Sequence, residues 1–355
     1  MTTTLLVAAL VAFHSAGPIT TVAGTGKPAD GGDSGPALQT NIGDPFGVEI
    51  GPDGSLYICE VRNHRVRRLD EATGRLTTVA GSGQVGYAGD GGSATAAKLN
   101  EPYEVRFDKA GNMLFVEMKN HLVRKVDANT GTISTIAGTG KAGFGGDDGP
   151  ATAAQLSIPH SIALDAADNL YIADIGNHRI RKVDAKTGII TTIAGTGEKR
   201  PPVAGPAAGK PMVGPRALFI QDGVLWIALR EGHSVWKMPL ASGVLSHVAG
   251  TGKKGFTGDG GPAAEATFDG PKGIVVTRDG GAVLVVDTEN HAIRKIDLAS
   301  GKISTVAGKG PKFAGGDGDG GPATEATLNR PHGICVGPKD EVYIGDTLTH
   351  RVRKF

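Results

Sequence analysis

The sequence predicts an all-β fold, a six-bladed β-propeller of four-stranded antiparallel blades. Three observations carry this: one phrase returns at near-constant spacing, each return brings four short strand-like runs, and the chain opens on a lone fourth strand and closes after a third. The marker [VI]AG[TSK]G begins at Val22, Val79, Ile136, Ile193, Val248 and Val306, with gaps of 57, 57, 57, 55 and 58 residues. Within each unit the order is fixed. A proline-led run comes first (DPFGVEI, EPYEVRF, IPHSIAL, GPRALFI, GPKGIVV, RPHGICV), and a tight turn such as GPDGS or TRDGG follows. A second run (LYICE, LFVEM, LYIAD, LWIAL, VLVVD, VYIGD) leads to a third (HRVRRLD, HLVRKVD, HRIRKVD, HSVWKMP, HAIRKID, HRVRKF). An ATG or ASG turn then introduces a fourth, of the type ITTIAG.

Each run is four to seven residues, rich in Val and Ile, and bounded by Gly, Asp, Asn or Pro, which is the strand signal. A meander of four such strands with both faces apolar must be flanked on each side, and a closed ring of sheets meets that need. Ile19–Gly24 reads as a fourth strand without its blade, and Phe355 follows a third strand without its fourth. The two ends are therefore expected to complete one blade together, which hides strand edges that would invite aggregation.

Composition limits the function. Lys plus Arg (37) nearly balances Asp plus Glu (36), so neither nucleic acid nor a membrane surface is an expected partner. Glycine, 56 of 355 residues, marks frequent turns. Cys59 and Cys335 fall in apolar runs far apart and read as buried free thiols. Residues 1–18 stand apart from the propeller at 19–355. The apolar run Leu5–Phe13 resembles the core of a secretory signal, yet Met1–Thr4 carries no positive charge. It is too short to span a bilayer. A signal segment implies an extracytoplasmic protein and a structural tail a cytoplasmic one, and both readings stand. A monomer is expected.

His64, His121, His178, His233, His291 and His350 recur one per blade at the start of the third strand, so a structural role is expected, bonding backbone within the blade. Arg67, Arg124, Arg181, Arg294 and Arg353 follow as solvated or blade-bridging charges. Asp90, Asp147, Asp259 and Asp319 sit in glycine-rich phrases such as GFGGDDGPATAAQL. These lack the ligand alternation of a calcium loop and read as turn formers. Glu49 and Arg106, matched in neighbouring first strands, read as a structural ion pair.

The phrases NLYIAD and GNHRIRKVD resemble the NHL-repeat family of six-bladed propellers, whose triplet survives literally as Asn120-His121-Leu122. The resemblance covers residues 19–355 and implies fold; the family includes enzymes, protein-binding modules and RNA-binding modules.

Function is expected where the copies differ. The residue after the proline of each first strand runs Phe46, Tyr103, His160, Arg216, Lys272, His332. The residue ending the second strand runs Glu60, Glu117, Asp174, Leu229, Asp287, Asp346, and two further on come Arg62, Lys119, Gly176, Glu231, Glu289 and Leu348. In a meander these loops share one face, so both sets are expected to ring one mouth of the central channel. Convergent polar groups at a concave opening are the usual start of a site hypothesis. Arg216 and Lys272 suit a carboxylate or phosphate, with Phe46, Arg62 and Lys119 completing the substrate-binding set. His160 or His332, at an ordinary histidine pKa, exchanges a proton with substrate. Tyr103 donates to a developing oxyanion or serves as acid, and Glu60, Glu104 or Glu117 orients a histidine or acts as base.

IPHSIAL is similar to the histidine phrase that supplies metal ligands in the peptidylglycine amidating lyase propeller. That similarity implies His160 and His332 as ligands of a single divalent metal, although the pattern there uses three histidines. The acid and amide set of a gluconolactonase-type mouth is absent. A site without a metal or other cofactor is the expectation. It would belong to a lyase or hydrolase acting on a polar or anionic small molecule, and the absence of an accessory domain tilts toward it. The alternative is a non-catalytic binding module for a protein or small molecule on the same face. Mouth residues are expected to lie outside the packing between blades. The proline-rich stretch of blade four, GTGEKRPPVAGPAAGKPMVGPR, reads either as a lid or as drift.

Overall fold

Short apolar runs rich in Val and Ile form six antiparallel sheets, seen in a computed structural model that describes residues 17–355. Blade one comprises Pro45–Ile50, Leu56–Glu60, Arg65–Asp70 and Arg75–Ala80; blade two Pro102–Phe107, Met113–Glu117, Leu122–Val126 and Ile133–Ala137. Blade three follows as Ser161–Leu164, Leu170–Asp174, Arg179–Val183 and Ile190–Ala194; blade four as Pro215–Gln221, Val224–Leu229, Ser234–Pro239 and Val244–Ala249. Blade five is Gly273–Val276, Ala282–Asp287, Ala292–Asp297 and Ile303–Ala307. Blade six is Ile334–Val336, Val342–Asp346 and Arg351–Lys354, completed by Thr20–Ala23 from the start of the chain. The closing strand pairs Thr20 with Lys354 and Thr21 with Arg353, and Thr21 Oγ1 donates to Asp319 Oδ2 at 2.6 Å. The first strands touch one another in a closed circle around the axis.

Apolar clusters fill the wedges between neighbouring blades; one joins Val116, Val123 and Tyr103 of blade two to Ile162 and Ile172 of blade three. Cys59 and Cys335 are buried and unpaired, as expected. The proposed leader lies almost wholly outside the described residues. Among those described, no helix is long and apolar enough to cross a membrane.

The recurrent marker has a geometric cause. A bulge interrupts each fourth strand at it, between Thr135 and Ala137 in blade two for example, and the next residue, Gly138, turns the chain away at φ +94°. A Cβ there would lie 2.3 Å from the carbonyl oxygen of His121, so only glycine fits.

The six repeated histidines do bond backbone, but in the following blade rather than their own. His64 Nδ1 accepts from the Glu101 N–H, His121 from Ile158, His178 from Gly214, His233 from Gly270, His291 from Arg330 and His350 from Asp44, at 2.9–3.5 Å. Each recipient lies two residues before a mouth residue and has a positive φ of 42–59°. These histidines are latches between blades. Burial lowers the pKa of each, and the neutral ring is the form whose Nδ1 can accept.

The repeated arginines are neither solvated nor blade-bridging. Arg67, Arg124, Arg181, Arg294 and Arg353 are fully buried struts inside their blades. Arg124 joins Glu117 (2.6 Å) at the end of the second strand to Asp90 (2.5 Å) in the glycine-rich loop, and Arg181, Arg294 and Arg353 repeat the arrangement with Asp147, Asp259 and Asp319. The loop aspartates thus receive guanidinium. Blade four has lost every member: Leu229 replaces the acid, Trp236 the arginine, and the proline-rich loop replaces the aspartate phrase. That loop is not a lid. Gly205–Pro206 runs along the outer edge of the blade, Gly205 opposite Leu245, and Ala207 and Met212 pack with Leu229 and Trp236.

Candidate functional site

The proline-led phrase turns the chain down into the channel, so the residue after the proline projects to the axis from every blade. All six close into one ring. The Phe46 ring lies 4.0 Å from that of His332 and 4.5 Å from Tyr103; Tyr103 lies 4.6 Å from His160. Arg216 donates to the Tyr103 hydroxyl and stacks over its ring at 4.5 Å. Lys272 Nζ is 3.4 Å from His332 Nε2, which brings the circle back to Phe46. Tyr103, His160, Arg216, Lys272 and His332 are each at most 8% exposed. They are therefore packed against residues of neighbouring blades, contrary to the expectation that mouth residues stand outside inter-blade packing.

Above this ring lies a cavity of about 250 Å³, walled by all six residues together with Asp44, Arg230, Arg330, Thr347 and Leu348. Below it, a small void of about 20 Å³ reaches Glu104, Arg106, Lys272 and His332 along the first strands. The latches set the mouth. His121 holds the Ile158 N–H, and the Ile158 carbonyl accepts the His160 Nδ1–H at 2.6 Å. His291 holds Arg330, whose carbonyl accepts the His332 Nδ1–H at 2.8 Å, with Thr347 Oγ1 at 2.9 Å. This assigns the proton of each mouth imidazole to Nδ1 and leaves Nε2 as an acceptor.

Electrostatics corrects one expectation. His160 and His332 do not keep an ordinary pKa: burial pushes both well below it, helped by Arg216 beside His160 and by Lys272 beside His332. They are neutral bases or acceptors and hold no proton to give at neutral pH. Burial and the Arg216 charge bring Lys272 down to about 8. Its ammonium bonds Glu289 at 2.7 Å, which also receives Arg330 at 2.7 Å. Burial opposes ionisation of Glu289, and these two donors outweigh it, holding the carboxyl at about 2. Arg216 has no carboxylate partner among the described residues, and its Nε has no hydrogen-bond partner.

The second-strand ends do not reach the mouth. Glu60 accepts from the Gly43 N–H, Asn63 and Arg67, and Glu117 from the Asn100 N–H, Asn120 and Arg124, so both belong to the struts. Arg62 and Lys119 also leave the set: Arg62 is an exposed partner of Asp44, and Lys119 is exposed. Glu104 lies in the channel below the ring, paired with Arg106. Arg106 also bonds Glu49 at 3.0 Å, as anticipated. Burial raises Glu104 to about 7. Arg230, Arg330 and Thr347 were missed as site residues, whereas Glu289 and Leu348, expected at the mouth two residues past their second strands, are found there, Glu289 on Lys272 and Leu348 on the cavity wall. Arg330 precedes the Pro-His phrase of blade six and Thr347 follows its second strand, so the loops identified as the mouth already contained them.

The donor set does not suit a divalent metal. Two imidazoles are present without a third ligand, the Lys272 ammonium faces the Nε2 of one, and Arg216 adds a second cation. Among the described residues no group of three His, Cys, Asp or Glu could hold a metal ion.

Comparison with known proteins agrees with the repeat. The NHL-repeat family model matches residues 156–183, 268–296 and 328–355. NHL repeat-containing protein 2 of Gallus gallus is 30% identical over 281 residues, covering 71% of this chain and 38% of its own length. The chain spans between 25% and 46% of the length of three curated relatives it matches. Among solved structures, an auxiliary nutrient binding protein from Bacteroides thetaiotaomicron superposes with a TM-score of 0.70 at 17% identity, over 95% of this chain and 75% of that one. A streptogramin B lyase superposes with a TM-score of 0.55 at 16% identity, over 92% and 98%. Both are likenesses of fold. With its six blades closed by the N-terminal strand and the family model matching blades three, five and six, the chain is a six-bladed β-propeller that carries NHL repeats.

Proposed function

We propose that the mouth binds a small anionic molecule and performs lyase-type chemistry on it, with Arg216 and Lys272 holding the anionic group and a neutral histidine removing a proton. The observation that carries this reading is Arg216. It is a guanidinium 3% exposed, on the wall of a cavity, with no carboxylate partner among the described residues and Nε unpaired. A buried charge left so is costly unless something arrives to complete it, and an incoming carboxylate or phosphate supplies two acceptors in the geometry a guanidinium prefers.

With a carboxylate on Arg216, the carbon beside it becomes acidic because the guanidinium stabilises the charge that develops when its proton leaves. His160 Nε2 takes that proton, its ring kept oriented by the Nδ1–H on the Ile158 carbonyl; the C–H electron pair becomes the new C=C bond, and the group on the next carbon leaves with its bonding pair as an anion. The propeller shared with a streptogramin B lyase is a scaffold on which such chemistry occurs, a likeness of fold alone.

The test is calorimetric titration of the full chain with malonate and with inorganic phosphate. One saturable site per chain is expected, abolished in Arg216→Met. No binding of either ion at millimolar concentration would overturn the reading. Non-catalytic capture is the second reading, favoured by the fact that Lys272 is already paired and His160 and His332 carry no proton to donate. Binding followed by recovery of the ligand unchanged, across a panel of small hydroxy and amino acids, would support it.

A further inference from the structure

We propose that Lys272 is a nucleophilic amine that captures a carbonyl carbon as an imine, which makes 2-oxo acids and short aldehyde acids the ligand class of the mouth. The inference rests on the Arg216 anion site of the reading above and gives Lys272, in place of its role as a second cation there, a covalent step in its free-base form.

The placement of Lys272 is the argument. Its backbone is pinned by its own N–H to the Val286 carbonyl at 3.0 Å, at the entrance to the first strand of blade five. The side chain is only 4% exposed, and its amine ends on the cavity wall that also carries Arg216. A lysine needed only for an ion pair has no reason to be drawn out of water in this way, since its strongly hydrated ammonium is costly to bury. The groups around it come from three blades. Arg216 faces it from blade four, Glu289 from its own blade, and Arg330 and His332 from blade six. Two guanidiniums oppose its protonation. Glu289 favours it but is shared with Arg330, and His332 is neutral. The balance leaves the amine with a pKa of about 8, so near pH 8 about half of it is the free base, while an exposed lysine is almost entirely protonated. Cationic neighbours and desolvation are the recognised means of activating an imine-forming lysine.

The step balances without a further reagent. The nitrogen lone pair of Lys272 forms a C–N bond to the carbonyl carbon, and the C=O π pair moves to oxygen. The two amine hydrogens and that oxygen leave together as water, giving C=N. His332 Nε2, 3.4 Å from Nζ, is placed to accept an amine hydrogen during the transfer. The carboxylate of a 2-oxo acid is held by Arg216, while the cavity of about 250 Å³ admits a short chain.

The experiment is reductive trapping. The full chain is incubated with pyruvate at pH 8, treated with sodium cyanoborohydride, and read by intact mass and peptide mapping. One adduct on Lys272 is expected, with the mass of pyruvate less water plus two hydrogens. It should form on the order of a hundredfold faster than on exposed lysines, the ratio of free amine. Excess malonate should suppress it, and Lys272→Met should abolish it. Label on surface lysines alone, or no label, overturns the inference. Because mapping is done on the unaltered chain, the result does not depend on how Lys272→Met folds. If malonate binds in an Arg216-dependent way and Lys272 is unlabelled, the imine is wrong and the anionic site stands. If neither occurs, both fail.

Discussion

Two rings of six side chains run around this molecule, one from each blade. The outer ring repeats a single answer: His64, His121, His178, His233, His291 and His350. The inner ring gives five answers in six places: Phe46, Tyr103, His160, Arg216, Lys272 and His332. The two are joined through three residues of backbone, because each outer histidine accepts the N–H two positions before an inner residue of the next blade. The outer ring therefore aims the chain at the channel without specifying what the chain presents there. A propeller built this way can vary its mouth while its closure stays fixed, so repetition marks framework and variation marks the site.

Breaking the framework should have the largest effect. Arg181→Met would leave Asp174 buried without its guanidinium and Asp147 without its strut, and removing one partner of a buried charge network costs about 3–5 kcal/mol. Blade four already contains the repair, Leu229 with Trp236 in the same two places. Asp174→Leu combined with Arg181→Trp should recover most of the loss in urea unfolding. A single substitution that costs less than about 1 kcal/mol would mean the strut is no more than a surface-type pair.

Cutting a latch should cost less and reach further. His121→Ala leaves the Ile158 N–H without its acceptor, a loss of about 1–3 kcal/mol. It also frees the carbonyl that orients His160, so malonate affinity should fall together with stability. Arg216→Met should reduce the affinity alone. The latch is also pH-dependent, and the sign follows from its depressed pKa. Below the unfolded value near 6.5 the unfolded chain takes up a proton that the folded ring refuses. The stabilisation is thus complete above that value and shrinks as pH falls through it toward the folded pKa. Measuring the difference in Tm between the wild type and His121→Ala at pH 8 and pH 5 isolates this from the buried carboxyls, which pull the other way. The gap should narrow at pH 5, and a constant gap would show that His121 is not held neutral by folding.

The ring of blades was legible because a meander with two apolar faces has few ways to satisfy itself, and the lone fourth strand at Ile19 named its own partner. The inner ring was legible because the position after each proline carries chemically different, mostly polar side chains where the framework positions repeat one residue type. Glu60 and Glu117 were misplaced for a specific reason. Strand alternation shows that a residue faces away from its neighbours, but not whether that direction is the channel or the interior of the blade. The signal that would have placed them is a spacing. Each strand-end acid is followed seven residues later by arginine (Glu60 with Arg67, Glu117 with Arg124, Asp346 with Arg353), and the one blade that loses the acid, at Leu229, loses the arginine too, at Trp236. The depressed pKa of His160 and His332 was not legible, because it depends on burial that exists only once six phrases from distant parts of the chain meet.

The smallest effect in stability should be the most informative, because it sets Arg216 against Arg181. Both are buried arginines, 3% and 0% exposed, Arg216 on the first strand of blade four and Arg181 on the third strand of blade three. Arg181 is surrounded by carboxylates that need it. Arg216 meets the Tyr103 hydroxyl and ring and nothing charged that bonds it. Replacing Arg181 strands two acids. Replacing Arg216 by leucine strands none, since the Tyr103 hydroxyl can still donate to water in the cavity, and it removes a guanidinium that is costly to bury. Arg216→Leu should therefore leave stability unchanged or raise it by about 1 kcal/mol while malonate binding is lost, the pattern of a residue kept for its ligand. Urea midpoints of the two variants, with and without malonate, make the comparison. If Arg216→Leu falls as far as Arg181→Met, the mouth arginine is a strut like the others and the anion has no claim on it.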